Sequence, residues 1–190
     1  MQKLKLHIIV GSVREKRSSW PIAQWAYEKL KDKAEFSVEL VDLKTWALPF
    51  FALAKPPAMG GYEDPLQKKW AQKVAEADAY LFVTPEYNHG YSAVLKNALD
   101  YVFAEWGRKP ASYVTFGSVG GARSVEQLRQ VLVELQVAPL RSAVHITNHF
   151  EKVKGDRFVP EEKESNALED VAKDLAWWGE ALRTARSGKK

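Results

Sequence analysis

Short apolar runs alternate with stretches of helical periodicity along most of the chain. The run at 4–10 is rich in β-branched residues and the run at 79–84 is almost continuously apolar, which is typical of strands buried on both faces. The runs at 36–42 and 141–146 alternate with polar residues, as edge strands do. A fifth run, at 113–116, leads directly into a glycine.

Apolar residues at helical spacing separate these five runs. The first helix is predicted to begin near Ser18 or Ser19, either of which can serve as N-cap, with Pro21 in the first turn. Further helices are predicted at 66–76 (capped by Asp64), 91–104, 123–136 and 165–183.

This alternation predicts an α/β fold, a three-layer sandwich with a five-stranded parallel sheet. With the first, third and fourth strands in the centre, the strand order is 2-1-3-4-5, which is flavodoxin-like. We interpret residues 1–190 as one domain. Two connections are irregular in pattern, 44–63 and 147–160. The first is long and aromatic, so we expect it to cover a site or a subunit contact.

The loop at 11–19 carries hydroxyl and cationic side chains directly before a helix N-terminus. Such a terminus offers unpaired N–H groups and a partial positive charge, so the combination suits a terminal phosphate. The loop holds a single glycine and therefore matches neither a P-loop nor a dinucleotide fingerprint. An ordinary strand-to-helix turn is the alternative. The candidate phosphate ligands are Ser12, Arg14, Arg17, Ser18 and Ser19.

Two more polar loops follow the third and fourth strands, at 85–90 and 117–124. In an open parallel sheet, ligands bind beyond the carboxyl ends of the strands at the switch point, where these loops and 11–19 meet. The third loop contains three glycines, so its backbone amides can approach a flat ligand closely. A phosphate at one end and a planar polar ring at the other describe flavin mononucleotide (FMN).

At these positions the sequence resembles the NADPH-dependent FMN reductase family, which includes flavin, quinone and chromate reductases of flavodoxin-like fold. The resemblance covers roughly residues 4–135 and rests on four motifs in the family's order, namely Gly11-Ser12-Val13-Arg14, Pro85-Glu86-Tyr87-Asn88, residues 95–101 and Ser118-Val119-Gly120-Gly121. It implies FMN phosphate contacts at the five residues named above. It also implies ring and ribityl contacts at Pro85, Glu86, Tyr87, Asn88, Ser118, Gly120 and Gly121.

The resemblance further implies an NAD(P)H oxidoreductase that forms a homodimer or homotetramer. NADPH or NADH is the co-substrate, and the electron acceptor is a quinone, an azo compound, a metal oxyanion or free flavin. No catalytic side chain is expected, because the cofactor carries the chemistry; Tyr87 and His89 are candidates for shaping the acceptor pocket. The alternatives are a flavodoxin-like electron carrier and a flavin-free interaction module on the same fold.

The amino-acid composition excludes several kinds of functional site and partner. Without cysteine, the chain has no disulfide, thiolate nucleophile, iron–sulfur cluster or cysteine-ligated zinc, and the spacing of its four histidines predicts no metal site. The net charge of +4 lies largely in the tail at 183–190 and forms no basic stripe, so we expect no nucleic-acid partner. No apolar run approaches about 20 residues, so we expect no membrane span. The first strand begins at once, which leaves no room for a signal peptide and favours a cytoplasmic location.

Overall fold

A five-stranded parallel sheet forms the centre of the protein. The structure is a computed structural model that describes residues 2–188. The strands are β1 (Leu4–Val10), β2 (Phe36–Asp42), β3 (Ala79–Pro85), β4 (Pro110–Phe116) and β5 (Ala138–Ile146). They lie in the order β2-β1-β3-β4-β5, which confirms the predicted flavodoxin-like fold class. Every residue of β3 and β4 is buried, whereas the edge strands alternate between buried and accessible positions.

Helices cover both faces of this sheet. They are α1 (Ser19–Leu30), α2 (Leu43–Trp46), α3 (Pro65–Glu76), α4 (Ala93–Asp100), α5 (Ala122–Glu134), α6 (His149–Lys152) and α7 (Glu162–Arg186). Short 3-10 turns lie at Pro57–Met59 and Ala104–Trp106, and a small hairpin joins β6 (Val153–Lys154) to β7 (Arg157–Phe158). One apolar core lies between the sheet and α1 and α7, and a second lies between the sheet and α3, α4 and α5.

The helix boundaries differ from the predicted ones where local hydrogen bonds intervene. The helix predicted at 91–104 is α4, which is shorter at both ends. Its Ser92 hydroxyl caps the helix by accepting from the Leu95 amide, and after Asp100 the chain turns to bury Trp106. The helix predicted at 165–183 is longer, because the Glu161 and Glu164 side chains form a capping box at its start.

The irregular connections also contain more structure than their patterns indicate. The segment at 147–160 holds α6 and the β6–β7 hairpin. The long connection begins with α2 and is tied to α4. There, the Phe51 amide donates to the Asn97 side chain over 2.9 Å, and the Asn97 amide and the Tyr101 hydroxyl both donate to the Pro49 carbonyl. Residues 95–101 therefore anchor this connection to the core.

None of the helices between residues 2 and 188 combines the length and the apolar character needed to cross a bilayer.

A buried histidine lies under α3. His7 of β1 is 2% exposed, and its Nε2 lies 3.6 Å from a carboxylate oxygen of Glu39 on β2. The Lys73 ammonium pairs with both Glu39 and Glu76, at 3.0 and 2.7 Å. Burial lowers the pKa of His7 to about 4, although Glu39 opposes the shift. The imidazole is therefore neutral in the folded protein at neutral pH.

This buried imidazole makes folding sensitive to acid. Between pH 6.5 and about 4 the unfolded chain binds a proton that the folded chain does not, so stability falls as the pH is lowered. We expect the wild type to lose about 2–3 kcal/mol more than His7→Gln between pH 7 and pH 4.5. Urea unfolding of both proteins at the two pH values measures the difference. Equal losses would show that His7 does not titrate in this way.

Candidate functional site

Three loops meet at the carboxyl ends of the central strands. They border a cleft of about 240 Å³, here called the central cleft, with residues from the loops after β1, β3 and β4 and from α6 in its wall. The lining residues are Arg14, Lys16, Arg17, Ser18, Pro85, Glu86, Tyr87, Phe116, Gly117, Ser118, His149 and Phe150. A neighbouring cleft of about 600 Å³ shares the three cationic residues at 14, 16 and 17. The combined volume of the two clefts lies within the range of roughly 300–1,000 Å³ that is usual for small-molecule sites.

The first loop turns tightly against the neighbouring strand. The Gly11 amide donates to the Val83 carbonyl over 2.8 Å, and a side chain at Gly11 would press on Thr84 at 3.3 Å. The Ser92 hydroxyl donates to the Gly11 carbonyl, which ties α4 to this loop. Ser12 is consequently buried, and its hydroxyl lies 2.9 Å from that of Tyr87.

The two arginines of this loop have different surroundings. Arg17 donates to both carboxylate oxygens of Asp42, at 2.7 and 2.5 Å, and to the Ser12 carbonyl. Arg14 is exposed, lies 5.6 Å from the centre of the Tyr87 ring, and forms no ion pair within residues 2–188. Arg14 therefore retains a cation for an incoming anion, whereas the Arg17 charge is largely neutralised.

The role of Asp42 as the partner of Arg17 was missed in the sequence. The predicted strand order could have indicated this pairing of Asp42 with Arg17. In the parallel pairing of β1 with β2, Asp42 lies opposite Val10, at the point where the first loop begins.

The start of α1 provides hydrogen-bond donors that have no acceptor among the described residues. Ser18 is the N-cap residue, but its side chain makes no capping hydrogen bond. The Ser19 hydroxyl is buried and has no hydrogen-bond partner among the described residues. Pro21, the third helical residue, has no N–H, and the amides of the two residues before it lie in the first turn and have no acceptor within residues 2–188. An orphaned hydroxyl beside unpaired helix amides fits a phosphate group.

The loop after β3 is a tight two-residue turn. The Tyr87 and Gly90 backbones exchange hydrogen bonds of 2.8 and 3.0 Å, and Asn88 and His89 between them have φ values of 48° and 70°. Tyr87 lines the central cleft. Asn88 is exposed at the tip of the turn and lies outside the cleft lining, so the structure separates these two predicted ligands.

Glu86 joins the second loop to the third. Its carboxylate accepts from the Arg123 amide at 3.1 Å and from Arg123 Nε at 2.6 Å, at the start of α5. Burial raises the pKa of Glu86, but the hydrogen bonds from Arg123 outweigh it and leave the pKa below its usual value. Glu86 is thus an ionised structural link, and it holds no proton to exchange at neutral pH.

The third loop lies directly against the sheet. Gly120 and Gly121 have φ values of 69° and 77°. A Cβ on Gly121 would lie 2.6 Å from the Thr115 Cβ, and one on Gly120 would lie 3.0 Å from the His145 Cβ. Only glycine fits at these two positions. Ser118 lines the central cleft, and the two glycines lie behind it, against the ends of β4 and β5.

A fourth wall of the cleft was missed in the sequence. His149 of α6 packs between two phenylalanine rings, with centroid distances of 4.9 Å to Phe116 and 3.9 Å to Phe150. Phe150 is 79% exposed at the cleft mouth, and burial lowers the pKa of His149. The predicted topology could have indicated this wall, because α6 follows the carboxyl end of β5.

Comparison with known proteins agrees with this geometry. The family model of the NADPH-dependent FMN reductases matches residues 4–151. The chain belongs to this family. This confirms the resemblance found in the sequence. The protein is an oxidoreductase, with FMN as cofactor and NAD(P)H as co-substrate.

Three similar proteins illustrate the match. An NAD(P)H-dependent FMN reductase of Schizosaccharomyces pombe is 42% identical over 144 residues, covering 74% of this chain and 72% of the relative. An NADPH:quinone oxidoreductase of Arabidopsis thaliana is 29% identical over 176 residues, covering 90% and 85%. The solved structure of FerB, a flavoenzyme NAD(P)H:(acceptor) oxidoreductase from Paracoccus denitrificans, superposes with a TM-score of 0.74 at 22% identity, over 94% of this chain and 98% of that one.

The close approach of the third loop to the sheet predicts an unequal response to alanine at two glycines. Gly121 and Gly155 both have positive φ, but nothing lies within 4 Å of a Cβ at Gly155. Gly155→Ala should cost about 1–2 kcal/mol from backbone strain alone. Gly121→Ala should cost about 1–3 kcal/mol more, because its methyl group meets Thr115. Denaturant unfolding tests this, and equal costs would mean that the loop does not lie against the strand.

Proposed function

We propose that this FMN reductase family member reduces a small oxidised acceptor at the expense of NAD(P)H, within a single domain and with FMN held in the central cleft. The observation that carries the proposal is the meeting of the three loops at the carboxyl ends of β1, β3 and β4. Donors for a phosphate lie at one end of this arrangement and a glycine-rich backbone lies at the other. A quinone is the favoured acceptor, since a relative that matches 90% of this chain is named as a quinone oxidoreductase. Azo compounds, metal oxyanions and free flavin are the other candidates.

The phosphate end is formed by the first loop and the start of α1. Within residues 2–188, the Arg14 cation has no ion-pair partner, the Ser18 hydroxyl makes no capping hydrogen bond and the Ser19 hydroxyl has no hydrogen-bond partner. Arg17 contributes indirectly, because its ion pair with Asp42 fixes the shape of the loop. The helix N-terminus adds its partial positive charge, which favours a dianion.

The ring end is formed by residues that orient a planar ligand. Tyr87 is held by the Ser12 hydroxyl, and Ser118 and Gly117 also line the central cleft. When bound, FMN supplies the redox chemistry between the nicotinamide and the acceptor. The nearby acid, Glu86, is committed to Arg123, so we assign it no role as a catalytic acid or base.

The family match disfavours the electron carrier of flavodoxin type that the sequence left open, and a direct test is available. Such a carrier would hold FMN in the same cleft but would not oxidise NAD(P)H. Anaerobic mixing of the FMN-loaded protein with NADPH and then with NADH distinguishes the two, because an oxidoreductase consumes the nicotinamide and a carrier does not. Turnover with a quinone, an azo dye, chromate and free FMN then identifies the acceptor class.

A homodimer or homotetramer remains part of the proposal, as does a cytoplasmic location. An apolar cleft of about 630 Å³ between the long connection and α4 and α5 supports self-association, with Phe51, Val102, Phe103, Val131 and Leu135 in its lining. Sedimentation equilibrium measures the assembly state directly.

The unpaired cation of the first loop predicts a specific loss of affinity. Arg14→Ala should weaken FMN binding by about 1.5–3 kcal/mol, the scale of a charge-assisted hydrogen bond, or roughly 10- to 150-fold. Arg141→Ala is the matched control, since it removes an equal charge from an exposed residue of β5 outside both clefts. Flavin fluorescence titration measures both variants. If Arg14→Ala binds FMN as tightly as Arg141→Ala does, the phosphate assignment is wrong.

A further inference from the structure

Two side chains at the ends of β4 and β5 hold one carbonyl group of the third loop. The Thr115 hydroxyl donates to the Gly120 carbonyl over 2.8 Å. The Nδ1 atom of His145 lies 3.0 Å from the same oxygen and donates to it in the tautomer that carries the proton on Nδ1. Thr115 and His145 are directly paired in the parallel ladder, and Thr115 is fully buried. We call these two donors the carbonyl clamp.

The carbonyl clamp sets the direction of the next amide. The peptide bond between Gly120 and Gly121 is trans, so its N–H points away from its carbonyl. With the carbonyl turned towards Thr115 and His145, the Gly121 N–H is directed to the other side, where Gly117 lies. A Cβ at Gly117 would be 3.6 Å from the Gly121 nitrogen, and Gly117 itself lines the central cleft.

The Gly121 amide is also unused by the protein. Within residues 2–188 it donates to no backbone or side-chain acceptor, and it stands at the N-terminus of the 13-residue helix α5. A free amide at a helix N-terminus stabilises negative charge placed before it.

The clamp is needed because a peptide bond between two glycines turns over easily. Glycine accepts positive and negative φ almost equally, so neither Gly120 nor Gly121 resists a flip by itself. A flip would direct the Gly120 carbonyl oxygen, a partial negative charge, to the side where the amide now lies. The two hydrogen bonds from Thr115 and His145 oppose this, since a flip would break both of them.

We propose that Thr115 and His145 are positioning residues that set the reduction potential of the bound flavin. By holding the Gly120 carbonyl, they keep the Gly121 amide and the start of α5 directed to the central cleft. Reduced FMN carries more negative charge than oxidised FMN, so this arrangement favours the reduced form. The inference rests on the flavin site proposed above and adds two residues that do not line the cleft.

The test compares loss and retention of each donor. Thr115→Val and His145→Leu remove one donor each at nearly constant shape. Thr115→Ser keeps the hydroxyl, and His145→Asn places an amide N–H where the imidazole Nδ1 was. The Val and Leu variants should bind reduced FMN about tenfold more weakly relative to oxidised FMN, which lowers the two-electron midpoint potential by about 30 mV. The Ser and Asn variants should stay near the wild-type potential.

Ser112→Ala is the matched control. The Ser112 hydroxyl donates to the Ser142 carbonyl over 2.6 Å, so it links β4 to β5 without touching the third loop. Removing the Ser112 hydroxyl tests whether the loss of any hydrogen bond between β4 and β5 changes the midpoint potential of the flavin. We expect no change.

The midpoint potential is measured by dye equilibration, together with the affinities for oxidised and reduced FMN. His145 is exposed, so its variants should fold even if Thr115→Val does not. An unchanged potential in FMN-loaded His145→Leu overturns the inference, as does equal weakening of both affinities, which is the mark of a merely structural role. Failure of the proposed function looks different, because the wild-type protein would then bind no FMN, and this inference would fall with it.

Discussion

The register of the parallel sheet is the constraint on which the site depends. Val10 lies opposite both Asp42 of β2 and Val83 of β3, and Thr84 and Thr115 are paired across β3 and β4. Because these ladders are parallel, the strands end at one level and their loops leave from a common edge. Residues from three distant parts of the chain therefore meet in one cleft. Helices on both faces bury the strands and fix this level, since a shift of one residue would move every side chain of a strand to the opposite face.

Charge pairing divides the polar residues at this edge into two groups. Direct hydrogen bonds join Arg17 to Asp42 and Glu86 to Arg123. These two pairs hold the first, second and third loops in position. Arg14 and the Ser19 hydroxyl have no such partner among the described residues. Fixed pairs keep the loops in place at little cost, because their charges are already compensated when the ligand is absent. Arg14 and the Ser19 hydroxyl are therefore the groups that can bind an anion.

Glycine plays two separate roles in these loops. Gly11 allows the first loop to turn against Thr84, whereas Gly120 and Gly121 allow the third loop to press on Thr115 and His145. In the second case the absence of side chains also removes the steric barrier to peptide rotation. The hydrogen bonds that Thr115 and His145 of the neighbouring strands make to the Gly120 carbonyl oppose this rotation instead.

Hydrophobic periodicity predicted the strand order, because burial on one or two faces leaves a direct record in the order of residues. The strand order in turn indicated the edge of the sheet where we propose that FMN binds. Local motifs indicated Arg14, Ser18 and Tyr87 in the same way. The roles of Asp42, Thr115, His145 and Phe150 were decided by the tertiary structure, since each depends on a contact between segments far apart in the chain. Helix ends such as that of α4 belong to the same class, because a hydrogen bond from Ser92 to Gly11 and the burial of Trp106 outweigh the weak preference of the intervening residues for a helix.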